Sequence, residues 1–170
     1  MTISYQREEL HRLIDQLDEK WLPKVYEFLH RNSPEKKAFK RKDRWSAVRT
    51  KIQSFTRLKN NWDGYGAIPV SPEVADACLN FLRLLPESFL EHLEPENITP
   101  TPYSTVTIDW EHGDSHFVTV EIGKSKANFF AQLPSGKTME NEHLDLAGKD
   151  FPADLLEALQ HLFAHLSPTQ

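Results

Sequence analysis

The sequence predicts an α+β fold: a helical N-terminal half, a four-stranded antiparallel meander and a C-terminal helix. Three observations carry that expectation. Apolar residues recur three and four apart as far as Leu85, the period drops to two from Thr105, and helical spacing returns after Pro152. Hydrophobic residues make up 39% of the 170, which excludes wholesale disorder.

Leu10, Leu13, Ile14 and Leu17 mark one face of a first helix. Asp18 is the expected N-cap of a second, with Leu22, Val25, Phe28 and Leu29 as its apolar face. Pro23 lies in the early turns of that helix, so it begins late or bends there. Asn32-Ser33-Pro34 closes this hairpin, which is too short to bury both faces alone. Trp45, Val48, Ile52 and Phe55 define a third helix over about 43–59, while residues 34–43 read equally as a basic linker or as helix.

Asn60-Asn61-Trp62-Asp63-Gly64-Tyr65-Gly66-Ala67 demands a turn with positive φ positions. Ser71 then caps a fourth helix with Pro72 at its first position; Val74, Cys78, Phe81, Leu82 and Leu85 form its face and Pro86 stops it. Pro95, Pro100 and Pro102 require an extended connector. Four strands follow, carrying Val106/Ile108/Trp110, Val118/Val120/Ile122, Ala127/Phe129/Ala131/Leu133 and a segment around 137–140, joined by Gly-containing turns. Leu155, Leu156, Leu159, Leu162, Phe163 and Leu166 cover one wide face of the last helix. The expected organisation is a hairpin for interaction or dimerisation at 1–33, a basic linker at 34–43 and an α+β domain at 44–170.

One cysteine makes neither an internal disulfide nor a thiolate metal site. The opening residues lack the order of a secretory signal, and no apolar run approaches the ~20 residues of a membrane span, so a cytoplasmic protein with no membrane partner is expected. The net charge of −5 is strongly segregated. Residues 36–59 hold ten of the twenty Lys and Arg against a single acid, Asp43, whereas residues 85–122 hold eight acids and no Lys or Arg. Such a chain is suited to an anionic partner at one place and a cationic one at another, or to self-neutralisation within the fold or an oligomer.

The search for chemistry yields little. His161 and His165 have metal-ligand spacing without a completing carboxylate, and His112 and His116 flank a hairpin turn beside Glu111 and Asp114. Asp109, Glu121 and Lys124 approach the two acids and lysine of a metal-dependent nuclease, but the lysine comes three residues after the glutamate, where that pattern needs two. Cys78 lies on the buried side of its helix, and no phosphate loop or nucleophile elbow occurs. No metal, cofactor or catalytic residue is assigned. Lys40, Arg41, Lys42 and Arg49 are the candidate nucleic-acid contacts, able to neutralise phosphates. Asp63, Tyr65, Asp109 and Glu111 are the candidate protein-partner contacts.

Two stretches resemble known bacterial groups. Leu13-Ile14-Asp15-Gln16-Leu17-Asp18-Glu19 followed by Val25-Tyr26-Glu27-Phe28-Leu29 resembles the L-I-x-x-L-x-E … V-x-x-F-L helical segment of small antitoxins and related regulators, with Asp18 where proline is usual. That resemblance implies partner binding or dimerisation. Residues 58–130 resemble a group of uncharacterised small bacterial proteins through Asn61-Trp62-Asp63-Gly64-Tyr65-Gly66-Ala67, Ser71-Pro72-Glu73, Pro100-Thr101-Pro102, Asp109-Trp110-Glu111 and Val120-Glu121-Ile122. That group commonly has a Gly-rich turn after its Pro-Thr-Pro element, where this chain has Tyr103-Ser104-Thr105. The resulting expectation is a non-catalytic protein-interaction module of antitoxin or immunity type, self-associating or bound to a basic partner such as a toxin. The alternatives are a metal-dependent nuclease using Asp109, Glu111 and Glu121, and a nucleic-acid-binding regulator working through residues 36–59.

Overall fold

The computed structural model describes residues 3–31, 33–113, 115–146, 148 and 150–164. The chain divides into two compact units, residues 1–42 and 43–170.

The first unit holds α1 (Ile3–Asp15) and α2 (Leu22–Arg31). Asp18 organises the link between them: its carboxylate accepts the Lys20 amide at 3.1 Å and its carbonyl accepts the Trp21 amide at 2.8 Å. The helix starts at Leu22, so Asp18 is not its N-cap but fastens the turn that precedes it, and Pro23 falls at the second helical position, where a missing N–H leaves no bond unmade. None of residues 5–29 is buried; Ile14, Leu17 and Val25 are merely half-buried.

Helix α3 (Pro34–Phe55) starts nine residues earlier than the expected Asp43, so the backbone of 34–43 is helical, and it ends at Phe55 rather than near Lys59. The side chains of 34–41, Lys40 and Arg41 among them, lie outside the described residues. In the second unit, Val48 and Ile52 are fully buried and Phe55 nearly so, which confirms the apolar stripe. Arg44 on α3 is tied down by the Glu91 and Leu93 carbonyls and by the Glu94 carboxylate at 2.8 Å.

Helix α4 (Pro72–Leu84) begins as expected, with the Ser71 hydroxyl accepting the Val74 amide and Pro72 in the first turn. Pro86 ends it, and the short α5 (Glu87–Leu90) and a 3-10 turn at Pro95–Asn97 lead to the sheet.

The sheet has five strands, not four: β1 (Ile98–Pro100), β2 (Val106–His112), β3 (His116–Ile122), β4 (Ala127–Gln132) and β5 (Thr138–Leu144), antiparallel and in chain order. The additional strand is the proline-rich connector itself, paired to β2 as Ile98↔Ile108 and Pro100↔Val106. A proline closes a three-residue edge strand without breaking a ladder, because its nitrogen has no neighbour to serve. The segment expected around 137–140 extends to Leu144, with an irregular register against β4 between Ala127 and Phe129.

Alternation puts Val106, Ile108, Trp110, Val118, Val120 and Ile122 at zero exposure on one face. They join the buried sides of α4 and of α6 (Ala153–Leu162) in a single core. Trp110 is its largest fully buried side chain, and its indole N–H donates to the Phe89 carbonyl at 3.1 Å, joining the sheet to α5. Cys78 is wholly buried on α4, and burial pushes its thiol up to about 12, so it stays protonated and packs as a small apolar residue. Asn141 on β5 donates to Asp154 on α6 at 2.6 Å.

Trp110→Phe keeps an aromatic ring but removes the indole donor from the Phe89 carbonyl, leaving it the His92 amide at 3.2 Å. It should lower unfolding free energy by about 1–3 kcal/mol, read as a shift of the denaturant midpoint at unchanged slope. An unshifted midpoint would show that the bond contributes nothing net.

Candidate functional site

The region between residues 61 and 71 and the loop at 101–105 form one braced structure. Asn61 (φ +63°) and Ser104 (φ +63°) are the two non-glycine residues with positive φ among those described, and both lie here. Each is held by its side chain. The Asn61 carboxamide oxygen accepts the Gly66 amide at 2.7 Å. The Ser104 hydroxyl donates to the Pro69 carbonyl at 2.8 Å and accepts the Ser71 amide at 3.3 Å. At 104 a serine adopts a glycine-like conformation and offsets the strain through its hydroxyl. Gly64 and Gly66, at φ +81° and +98°, complete the turn.

Asp63 folds back on its own turn, its carboxylate accepting the Tyr65 amide at 2.8 Å and the Ala67 amide at 3.0 Å. Those two amides, Tyr65 first, hold its carboxyl below the ordinary 3.8. The Trp62 indole donates to the Ile68 carbonyl at 3.2 Å, and Trp62 is half-buried beside its own loop. The Ile68 amide donates to the Pro102 carbonyl at 3.0 Å, joining the two loops. The outcome is a rigid platform with Tyr65 95% exposed, Tyr103 81% and Ile68 54%. Asp63 is thus a fastening residue and Tyr65 the outward one. Tyr103 and Ile68 were not singled out by sequence; prolines at 100 and 102 hinted at a stiff loop without indicating which side chain it presents.

The second feature is the outer face of the sheet. The residues alternating with the core stripe are Thr107, Asp109 and Glu111 on β2, Phe117, Thr119 and Glu121 on β3, Asn128, Phe130 and Gln132 on β4, and Thr138 and Glu140 on β5. No Lys or Arg occurs among them. Asp109 and Glu111 share this face as expected, Glu111 exposed and Asp109 half-buried with the Thr119 hydroxyl donating to it at 2.7 Å. Glu121 ends a chain of hydroxyls: Thr101 to Thr105 at 2.5 Å, then Thr105 to Glu121 at 2.6 Å. The Phe117 and Phe130 rings, 5.9 Å apart, make an apolar step between the rows of Glu111 and Glu140, and Phe130 is 40% exposed. Period-two alternation already placed both rings outward, a signal that the search for charged groups passed over.

The nuclease constellation is not assembled. Asp109 lies opposite Thr119 and Glu121 opposite Thr107, each carboxylate is engaged by a threonine, and no group of three or more His, Cys, Asp or Glu suited to a metal occurs among the described residues. His161 is exposed near Glu157, 3.6 Å away, and His112 packs edge-on to Phe163; His165 and Asp114 lie outside the described residues. Of the basic candidates, Lys42 and Arg49 are exposed on α3. No described helix is long and apolar enough to cross a membrane. Comparison with protein-family models, with curated proteins and with solved structures returned no match.

Ser104→Ala keeps the unfavourable φ and removes both hydroxyl bonds, so it should cost about 1–3 kcal/mol in a denaturant titration, and Ser104→Gly clearly less. Equal losses would mean that backbone strain at 104 contributes nothing. For Asp63 the sign follows from its lowered carboxyl. Its contribution is complete above the ordinary 3.8 and is lost as pH falls through the lower folded value. The amide resonances of Tyr65 and Ala67 should titrate together with a midpoint below 3.8; a midpoint at or above that value would show an ungripped carboxylate.

Proposed function

We propose that this chain is a non-catalytic protein-binding module of bacterial antitoxin or immunity type, whose outer sheet face docks a basic surface of its partner. The observation that carries the reading is the composition of that face: Asp109, Glu111, Glu121 and Glu140 on three of its strands, β2, β3 and β5, without a cation among the outward residues named above. An acidic field over a stiff surface steers a cationic partner and sets its orientation. The Phe117/Phe130 step supplies a desolvated centre inside the polar rim, the arrangement in which a few aromatic side chains dominate binding. A toxin with a basic active site is the partner class that this surface would both recognise and block.

The test uses the double variant Asp109→Lys/Glu111→Lys against basic proteins encoded beside this gene, by interferometry at low and high salt. Binding should be salt-sensitive, and charge reversal should slow association by about tenfold or more and flatten the salt dependence. The exposed Glu111 should contribute little to stability, whereas Asp109, half-buried and bonded to Thr119, should cost about 1–2 kcal/mol, so the variant is read only where it remains folded. Unaltered binding by the folded variant would move the contact to Asp63, Tyr65 and Tyr103. A gel shift on RNA or DNA that disappears with Lys42→Ala/Arg49→Ala would replace this reading with the nucleic-acid one.

A further inference from the structure

Residues 5–29 of the N-terminal unit form helices, and none of them is buried. Eight of the twelve exposed large hydrophobic side chains among the described residues lie between Tyr5 and Leu29. Leu10 (55% exposed), Leu13 (47%), Trp21 (47%), Leu22 (39%) and Leu29 (51%) lie on or beside the very stripes that made α1 and α2 legible as amphipathic helices, and Tyr5 is 56% exposed. Helices of 13 and 10 residues are marginal in water unless an apolar face is covered. Something must cover these.

The candidate receptor has to be apolar and extended. Among the described residues of the second unit the exposed large hydrophobics are Tyr65, Ile68 and Tyr103 on the loop platform and Phe130 on the sheet, two separate places that form no continuous stripe. Another hairpin of the same kind offers one by construction. At roughly 200 Å² per large side chain, the six named above expose ~600 Å² of apolar surface, close to the ~800 Å² that each partner contributes to a standard stable interface. Charge permits the pairing too. Residues 5–29 carry four cations against six acids, and three of those cations are already engaged, Arg12 with Glu9 at 2.6 Å, Lys20 with Asp18 at 2.9 Å and Lys24 over the Trp21 ring at 4.7 Å. Two copies approach with little net repulsion.

We infer that the hairpins of two chains pack face to face into a four-helix bundle, making the protein a homodimer through residues 5–29. Each helix then buries its stripe against three others, which two helices cannot achieve, and the isologous contact closes on itself so that assembly stops at two.

Sedimentation equilibrium on the full chain tests this. The wild type should be a dimer with a dissociation constant below ~10 μM. Leu13→Glu/Leu29→Glu should weaken it ~100-fold or more, while the thermal transition of the second unit, followed by near-ultraviolet dichroism, stays in place. Should the charged variant misfold, Leu10→Ala/Leu13→Ala keeps helix-favouring residues on the same stripe, and a tenfold or larger weakening is expected from it. A monomeric wild type at 100 μM overturns the proposal: with a lowered transition in the variants the hairpin covers its own second unit, and with an unchanged one its partner is a different protein. Variants that remain fully dimeric overturn it equally, by placing the contact between copies elsewhere.

Discussion

The strict alternation of β2 and β3 is the constraint on which the second unit depends. Val106, Ile108 and Trp110 pair with Ile122, Val120 and Val118, and all six are withdrawn from water. With that side committed to α4 and α6, the intervening residues have nowhere to go but outward. A shift of one residue would bury Asp109 and Glu111, at a cost that no local gain offsets. The acidic face is thus a direct result of how the core is made. The same register places Phe117 beside Glu111 and Phe130 beside Glu140, so the apolar step and its charged rim arise together.

The loop platform depends on a different device. Two loops, one between α3 and α4 and one between β1 and β2, each pass through a conformation that ordinary residues avoid. Asn61 and Ser104 bear that strain, and each is compensated by a hydrogen bond that only its own side chain can make at that place. Glu121 takes part from the sheet side, through Thr105 and Thr101. Its position on the acidic face and its hydroxyl ladder show one carboxylate serving the fold from the outer side of the sheet.

Much of this was legible in the residues. The helical stripes, the Ser71-Pro72 start, the inward sets of β2, β3 and β4 and the outward pointing of Asp109 and Glu111 follow from period and capping chemistry. The fifth strand was not, because three residues flanked by prolines carry no measurable period, and it is the neighbour β2 that makes them a strand. The extension of α3 to Pro34 was ambiguous for the opposite reason: a run of Lys and Arg tolerates a helix without demanding one. In the candidate site, the Asn-Asp-Gly turn declared itself, but Tyr103 and Ile68 became visible as its neighbours only when a long-range bond from Ile68 to Pro102 joined two loops 34 residues apart.

The sheet's order has a consequence for solubility. Among the described residues the five-stranded sheet has two edges, β1 and β5, each a template on which a further strand can grow. β1 is three residues long and ends in Pro100, so a strand laid along it finds too few partners to stay. β5 is seven residues long but carries Glu140 and Glu142, and an identical strand arriving there brings the same charges with it. Edge-to-edge growth is thus disfavoured by shortness on one side and by like charge on the other, two devices by which an open sheet is kept from extending itself.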